Sequence, residues 1–171
     1  RDFTINAMAY NDRAGLVDIF GGQEDLENHV VRCVGEPEER FTEDALRILR
    51  AVRFSAQLGF SIEEGTRKAA RTLAHTLEHI SAERIQAELV KLLISPYPQY
   101  LGTAWELGLT KIFLPEFDRE METPQNNTHH QKNVGEHTLK ALEAVEPDKV
   151  LRLAALFHDM GKPDCRVTDE E

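Results

Sequence analysis

Glu43-Asp44-Ala45-Leu46-Arg47-Ile48-Leu49-Arg50-Ala51-Val52-Arg53-Phe54 is the stretch whose reading decides the class of fold. Ala45, Ile48, Leu49, Val52 and, just beyond, Ala56 recur at the spacing of one buried helical stripe. At about 100° per residue, Glu43, Asp44, Arg47 and Arg50 fall outside that apolar arc. Thr42 is the expected N-cap, and Glu43 and Asp44 in a first turn suit the helix dipole. Residues three apart share a helix face, so Asp44 and Arg47 are expected to project together. A carboxylate beside a guanidinium places acceptors next to fixed donors, an arrangement able to read the edge of a nucleotide base. The same pair is also what a solvated helix face carries, and an exposed helix pair of this kind contributes about 0.3–0.5 kcal/mol.

The helical pattern extends outward from this stretch, to about residues 42–95. Gly59 is expected to end the arginine-rich helix at the left-handed position. Ser61 with Glu64 three residues later reads as a capping box for a second helix. Ser81 is the expected cap of a third, with Ile85, Leu89, Leu92 and Leu93 on its apolar face. Residues 99–107 read as a short amphipathic helix, and residues 134–145 and 150–157 as two more. Residues 118–132 are polar, without an apolar period, and are expected to form a loop. Upstream, residues 16–20 and 29–34 are short β-prone runs, with Gly21-Gly22 punctuating the first and a helical turn over 23–28 between them. The expected fold is mainly α with a small α/β part at the N-terminus.

Composition narrows the partners. The chain has 171 residues, 41% hydrophobic and 29% charged, which fits a folded core rather than a disordered chain. A net charge of −10 argues against a protein that coats nucleic acid with its whole surface. A local basic groove stays open, because Arg40, Arg47, Arg50, Arg53, Arg67, Lys68 and Arg71 lie close in sequence. The two cysteines, Cys33 and Cys165, lack metal-ligand spacing and read as reduced thiols. No signal peptide and no apolar run of membrane-spanning length is visible, so the expected location is the cytoplasm, with no membrane partner.

Other segments accompany the opening stretch in a fixed order. Arg1-Asp2-Phe3-Thr4-Ile5-Asn6 precedes Asp18-Ile19-Phe20-Gly21-Gly22-Gln23-Glu24-Asp25-Leu26; Ser81-Ala82-Glu83-Arg84-Ile85 follows, then Glu88-Leu89. With these, residues 1–115 resemble the bacterial and eukaryotic type of tRNA nucleotidyltransferase, the family of CCA-adding enzymes and related bacterial poly(A) polymerases. The resemblance implies four segments. Residues 1–36 would be the C-terminal part of a nucleotidyltransferase head, 37–95 a helical neck with the nucleotide-recognition helix, and 96–124 a helical body or linker. Residues 125–171 would be the start of a truncated HD domain.

The HD expectation rests on His137, followed by His158-Asp159 and Lys162. Neutral imidazoles and carboxylates are good ligands for divalent transition metals, and a lysine beyond them could meet a phosphate. Together with the flanking Gly-Glu-His-Thr-Leu and His-Asp-Met-Gly-Lys, this resembles the first elements of the HD metal-dependent phosphohydrolase signature. Asp164 and Asp169 look too close to serve as its last aspartate. The expected metal ligands are His137, His158 and Asp159; His129 and His130 are possible additions. The other reading is a pair of structural histidines in a helical bundle.

The resemblance implies that CMP and AMP are added from CTP and ATP to the 3′ end of tRNA. Arg1, Asp2 and Asn6 would contact ribose and triphosphate, and Asp44 and Arg47 would pair with the incoming base. Arg50 and Arg53 would either position triphosphate or brace the helix. Glu83 and Arg84 are read as a structural brace. Family members hold Mg²⁺ with an Asp-x-Asp pair after a Gly-Ser turn, and this sequence has no Asp-x-Asp. Starting at Arg1 and lacking that motif, the chain is expected to be a fragment that carries recognition and no catalytic residue. Three alternatives stand beside CCA addition: a poly(A) polymerase of the same family, a non-catalytic nucleotide- or RNA-binding fragment, and an HD phosphohydrolase.

Overall fold

The computed structural model describes residues 1–124 and 133–165. Among the described residues it is mainly helical, with four very short strands. Chain order begins with a 3₁₀ turn over Thr4–Asn6 and a hairpin of β1 (Ala9–Asn11) and β2 (Gly15–Val17), in which Tyr10 faces Leu16. Helix α1 (Gly22–Glu27) follows, its first amides bonded to Asp18 at 2.8 Å each. Gly21 has φ 74°, and a Cβ on Gly22 would lie 2.5 Å from the Thr4 carbonyl oxygen. The glycine pair therefore serves a tight turn pressed against Thr4.

Strand β3 (Val30–Val31) does not join the hairpin. It pairs in parallel with β4 (Ser61–Ile62), across the helices α2 (Pro37–Glu43) and α3 (Leu46–Leu58). The expected capping role of Ser61 is corrected here, since Ser61 is a strand residue. Glu63 caps α4 (Glu64–Thr72) instead, accepting from the Gly65 and Thr66 amides at 2.9 and 2.7 Å. A glutamate at this position is outside the usual capping set, which is why the sequence did not suggest it.

The start of the arginine-rich helix is also corrected. Thr42 and Glu43 belong to α2, which Pro37 opens at its first position and the fully buried Phe41 anchors. Asp44 then leaves the helical region (φ −154°, ψ 103°) and its Oδ1 accepts from the Leu46 amide at 3.2 Å. An aspartate that bonds its own downstream backbone competes with helix, so Asp44 splits the run in two. The stripe itself is as expected: Ile48, Leu49, Val52 and Ala56 are wholly buried. Gly59 closes α3 with φ 71°.

Helix α5 (Ala82–Leu93) packs along α3. A 3₁₀ turn at Pro98–Tyr100 leads to α6 (Leu101–Glu106), α7 (Thr110–Phe113) and α8 (Pro115–Glu122). Helix α8 corrects the first part of the expected loop. Pro115 opens it, and it buries Phe117 together with Asp118 and Glu120, so its polar buried face hid its period. Helices α9 (Val134–Ala144) and α10 (Lys149–Phe157) complete the order, α9 against α8 and α10 against α9 and α5. One core runs from Phe3 through Ile48, Leu92 and Leu101 to Leu142 and Leu156. Tyr10, Ile19 and Phe20 stay outside it, exposed by 73%, 78% and 48%. No helix among the described residues is long and apolar enough to cross a membrane.

Candidate nucleotide-recognition site and histidine–aspartate cluster

The first four residues lie antiparallel to residues 32–34. Phe3 bridges to Cys33, and the Thr4 and Val34 amides bond to the Arg32 and Asp2 carbonyls at 3.0 Å. Phe3 is fully buried, with its ring edge-on to Phe54 of α3 at 5.5 Å. That packing brings Asp2 to the arginines of α3. Its Oδ1 lies 3.3 Å from Arg47 Nε and its Oδ2 2.6 Å from Arg50. Arg40 of α2 reaches the same place and donates to the Arg1 carbonyl at 2.8 Å. Asn6 uses its side-chain oxygen locally, accepting from the Phe3 amide at 3.1 Å.

Asp44 and Arg47 flank the junction of α2 and α3, but not as one ion pair. Asp44 Oδ2 takes Arg84 of α5 at 2.8 Å. Arg47 donates to Glu43 at 2.5 Å and to the Arg40 carbonyl at 2.8 Å. Burial pulls the Arg47 guanidinium's pKa down, but the Glu43 and Asp2 carboxylates outweigh it and hold it above its ordinary value. The hydrogen bond from Arg47 in turn holds the Glu43 carboxyl below the usual range. Arg84, read from sequence as a structural brace, is thus a direct partner of Asp44. Its distance of 40 positions left no local signal.

Arg53 stands inward of this group. It is 7% exposed, its Nε bonds to Glu88 of α5 at 2.7 Å and its second donor to Gln57 at 2.5 Å. The row of basic residues therefore splits. Arg40, Arg47 and Arg50 gather around Asp2 and the Arg1 backbone, Arg53 faces Glu88, and Arg67 pairs with Glu106. This site does not fit a magnesium ion: both oxygens of Asp2 are committed to arginines. Glu43 and Asp44 are likewise paired with arginines, and carboxylates so committed are the wrong donor set for Mg²⁺.

At the other end of the molecule, α9 and the end of α10 bring His137, His158 and Asp159 together. Their potential ligand atoms lie within 4.8 Å of one another. His137 Nε2 and His158 Nε2 are 3.6 and 3.2 Å from Asp159 Oδ2, and Lys162 Nζ is 2.6 Å from the same oxygen. His158 Nδ1 lies 2.7 Å from the Ala155 carbonyl oxygen, which can only accept, so Nδ1 carries a proton and Nε2 faces the cluster. Two imidazoles and a carboxylate suit a divalent transition metal. A second feature fits the same need: Glu120 on α8 is fully buried beside this cluster, with Oε2 bonded to Thr138 at 2.8 Å and Oε1 without a partner. Burial pushes its carboxyl's pKa up, and Asp159 adds to the effect. Sequence reasoning missed Glu120, because it lies in the segment read as loop. Gly135 was the available signal: a Cβ there would overlap Met121, so α9 can approach α8 closely only with glycine at that position. His129, His130 and Asp169 lie outside the described residues.

Two family descriptions match the chain. Residues 1–32 match the family described as the poly A polymerase head domain. Residues 59–121 match the probable RNA and SrmB-binding site of polymerase A. A CCA-adding enzyme of Lactobacillus helveticus is 54% identical over 97 residues, which are 57% of this chain and 24% of that relative. One of Streptococcus thermophilus is 44% identical over 133 residues, 74% of this chain and 31% of that relative. The chain thus spans about a quarter to a third of the curated relatives it matches. The crystal structure of the Bacillus stearothermophilus CCA-adding enzyme in complex with CTP superposes with a TM-score of 0.75 at 34% identity, covering 94% of this chain and 38% of that one. A complex of a CCA-adding enzyme with ATP gives 0.62 at 27% identity, covering 95% and 44%. With head and RNA-binding matches in the order of the motifs, and a solved relative aligned along nearly the whole chain, this chain belongs to the tRNA nucleotidyltransferase and poly(A) polymerase family.

Proposed function

We propose that this chain is the nucleotide-selecting part of an enzyme that adds CMP and AMP from CTP and ATP to the 3′ end of tRNA. The observation that carries the reading is the gathering of Asp2, Arg47, Arg50, Asp44 and Arg84, distant in sequence, around the start of α3. Cytosine and adenine both present an exocyclic amine beside a ring acceptor. Asp44 accepts from the amine and Arg47 donates to the ring nitrogen. Guanine and uracil present the reverse order and would leave groups unpaired, at about 1–3 kcal/mol each. Two of the pair's present partners, Arg84 on Asp44 and Glu43 on Arg47, are 50% and 53% exposed, and exposed ion pairs are easily displaced. Arg50 and Arg1 supply charge for the triphosphate, and Asp2 and Asn6 hydrogen bonds to the sugar. The sequence holds no Asp-x-Asp pair, so the metal-assisted step and its Mg²⁺ are assigned to other residues of the enzyme.

Nucleotide binding by calorimetry tests this in the complete enzyme. CTP and ATP are expected to bind at least tenfold more tightly than UTP and GTP, and Asp44→Ala to erase the difference. Selectivity unchanged in Asp44→Ala refutes the reading. A poly(A) polymerase would show the ATP preference without CTP.

The convergence of His137, His158 and Asp159 supports a second activity, that of an HD-type metal-dependent phosphohydrolase. These three residues would hold a divalent transition metal, which supplies a Lewis acid and an activated water. Lys162 holds its charge at the site, on Asp159, where it can meet a phosphate oxygen. His158→Ala is expected to abolish phosphatase activity dependent on Ni²⁺ or Co²⁺; retained activity removes this reading.

A further inference from the structure

Glu120 is a buried carboxylate with half of its hydrogen-bonding capacity unused. It is 0% exposed, Oε2 accepts from the Thr138 hydroxyl, and Oε1 has no partner among the described residues. Buried polar groups without partners are rare and costly, and each asks for an explanation. Thr138 follows His137 on α9, so the bond to Thr138 ties the Glu120 carboxylate to the helical turn that presents His137. The charged groups that act on Glu120 are Asp159, His158 and Lys162. Lys162 does not satisfy Oε1; it is bonded to Asp159 at 2.6 Å.

The cluster beside it already draws one cation, the Lys162 ammonium, onto Asp159 Oδ2. With Nδ1 of His158 bonded to the Ala155 carbonyl, its Nε2 is the ring nitrogen that faces Asp159 Oδ2, across 3.2 Å. His137 Nε2 faces the same oxygen at 3.6 Å. Potential ligand atoms of three side chains lie within 4.8 Å of one another, and Glu120 is bonded to the residue that follows one of them. We propose that Glu120 is an additional protein ligand of a divalent transition metal held by His137, His158 and Asp159, contributing Oε1. The inference rests on the second reading above. The Glu120 carboxylate is not among the atoms that lie within 4.8 Å of one another, so ligation requires it to turn. Oε1 is the oxygen with no hydrogen bond to lose when it does. Two imidazoles and two carboxylates make a set that favours Co²⁺, Ni²⁺ or Zn²⁺ over Mg²⁺.

The test is a CoCl₂ titration of the metal-free 171-residue chain, followed by visible d–d absorption and by calorimetry. The chain is expected to bind one Co²⁺, and His158→Ala to lose it. Glu120→Gln is expected to weaken binding about 10–100-fold, the loss typical of a tuned metal-site residue, and to change the absorption band. Melting temperatures of the metal-free proteins exclude unfolding as the cause: Glu120→Gln removes a buried charge and should melt no lower than the parent. Glu120→Met, which fills similar volume without an oxygen, should show the same loss of affinity. Affinity within twofold of the parent and an unchanged band in Glu120→Gln overturn the role of Glu120 and leave the three-residue site standing. Absence of Co²⁺ binding by the unsubstituted chain overturns both.

Discussion

Removing Glu88 should unfold this protein far more readily than removing Arg53 and Glu88 together. The Arg53 and Glu88 side chains are 9% and 5% exposed and meet at 2.7 Å between α3 and α5. Burial lowers the pKa of the Arg53 guanidinium, and Glu88 offsets this in part. In Glu88→Ala, Arg53 keeps Gln57 but loses its counter-charge, and an uncompensated buried charge costs about 3–5 kcal/mol. For a chain of this size each kcal/mol lowers Tm by about 2–4 °C, so a fall of about 6–20 °C is expected. Arg53→Met should cost nearer the lower end, because Lys91 still reaches Glu88 at 3.0 Å. The double variant Arg53→Met, Glu88→Leu fills the space with apolar groups and strands no charge, so its cost should be about 0–2 kcal/mol. Urea denaturation of the parent, Arg53→Met, Glu88→Leu and the double variant gives the coupling directly, Glu88→Leu stranding Arg53 as Glu88→Ala does. The reasoning fails if Glu88→Ala costs less than about 1 kcal/mol, or if the two single effects simply add. The same set decides whether Arg53 braces α3 or touches nucleotide. A brace predicts that the double variant keeps the nucleotide affinity of the parent.

Further outcomes follow from single features. Gly59→Ala should destabilise by about 1–2 kcal/mol for its left-handed backbone alone, and more because the new Cβ would lie 2.7 Å from the Tyr97 ring; a thermal melt unchanged from the parent would contradict this. Asp118 is buried, and burial raises its pKa above the ordinary 3.8, outweighing the lowering by the nearby Thr110 hydroxyl. Its folded form holds the proton more tightly, so stability is full below the ordinary value and falls as pH climbs through the raised one. Asp118→Asn should therefore gain about 1–2 kcal/mol over the parent at pH 7 and little near pH 4, and a gain independent of pH would refute it. Cys33 is 3% exposed, with burial pushing its thiol up to about 11, whereas Cys165 is exposed. A thiol reagent at pH 8 should modify one cysteine quickly and the second only after denaturation; two fast thiols in the native chain would count against the packing of residues 1–4 on 32–34.

Much was legible from sequence because its causes are local. The stripe of Ile48, Leu49, Val52 and Ala56 needs only helical geometry to become a buried face. Gly59 could be placed because a left-handed closing residue is strongly selected for glycine. What escaped was decided by competition or by distance. The split at Asp44 depends on Pro37 and Phe41 claiming the preceding residues for another helix. Helix α8 was hidden because Asp118 and Glu120 occupy buried positions that a pattern search reserves for apolar side chains.

The division between the two levels is sharpest at the candidate sites. The amino-acid sequence by itself determined the class of fold, the order of the family motifs and the residue types available, since these depend on periodicity and on side-chain chemistry. Tertiary structure alone decided their partners. Asp44 shares a local stretch with Arg47, three residues on, yet is held by Arg84 on another helix. Arg53, one more member of a basic row in sequence, is turned inward onto Glu88. Glu120, without any motif, lies beside the histidines because Gly135 lets two helices touch. Coulomb and hydrogen-bond energies act through space over a few ångströms, and only the packed chain sets which residues come that close.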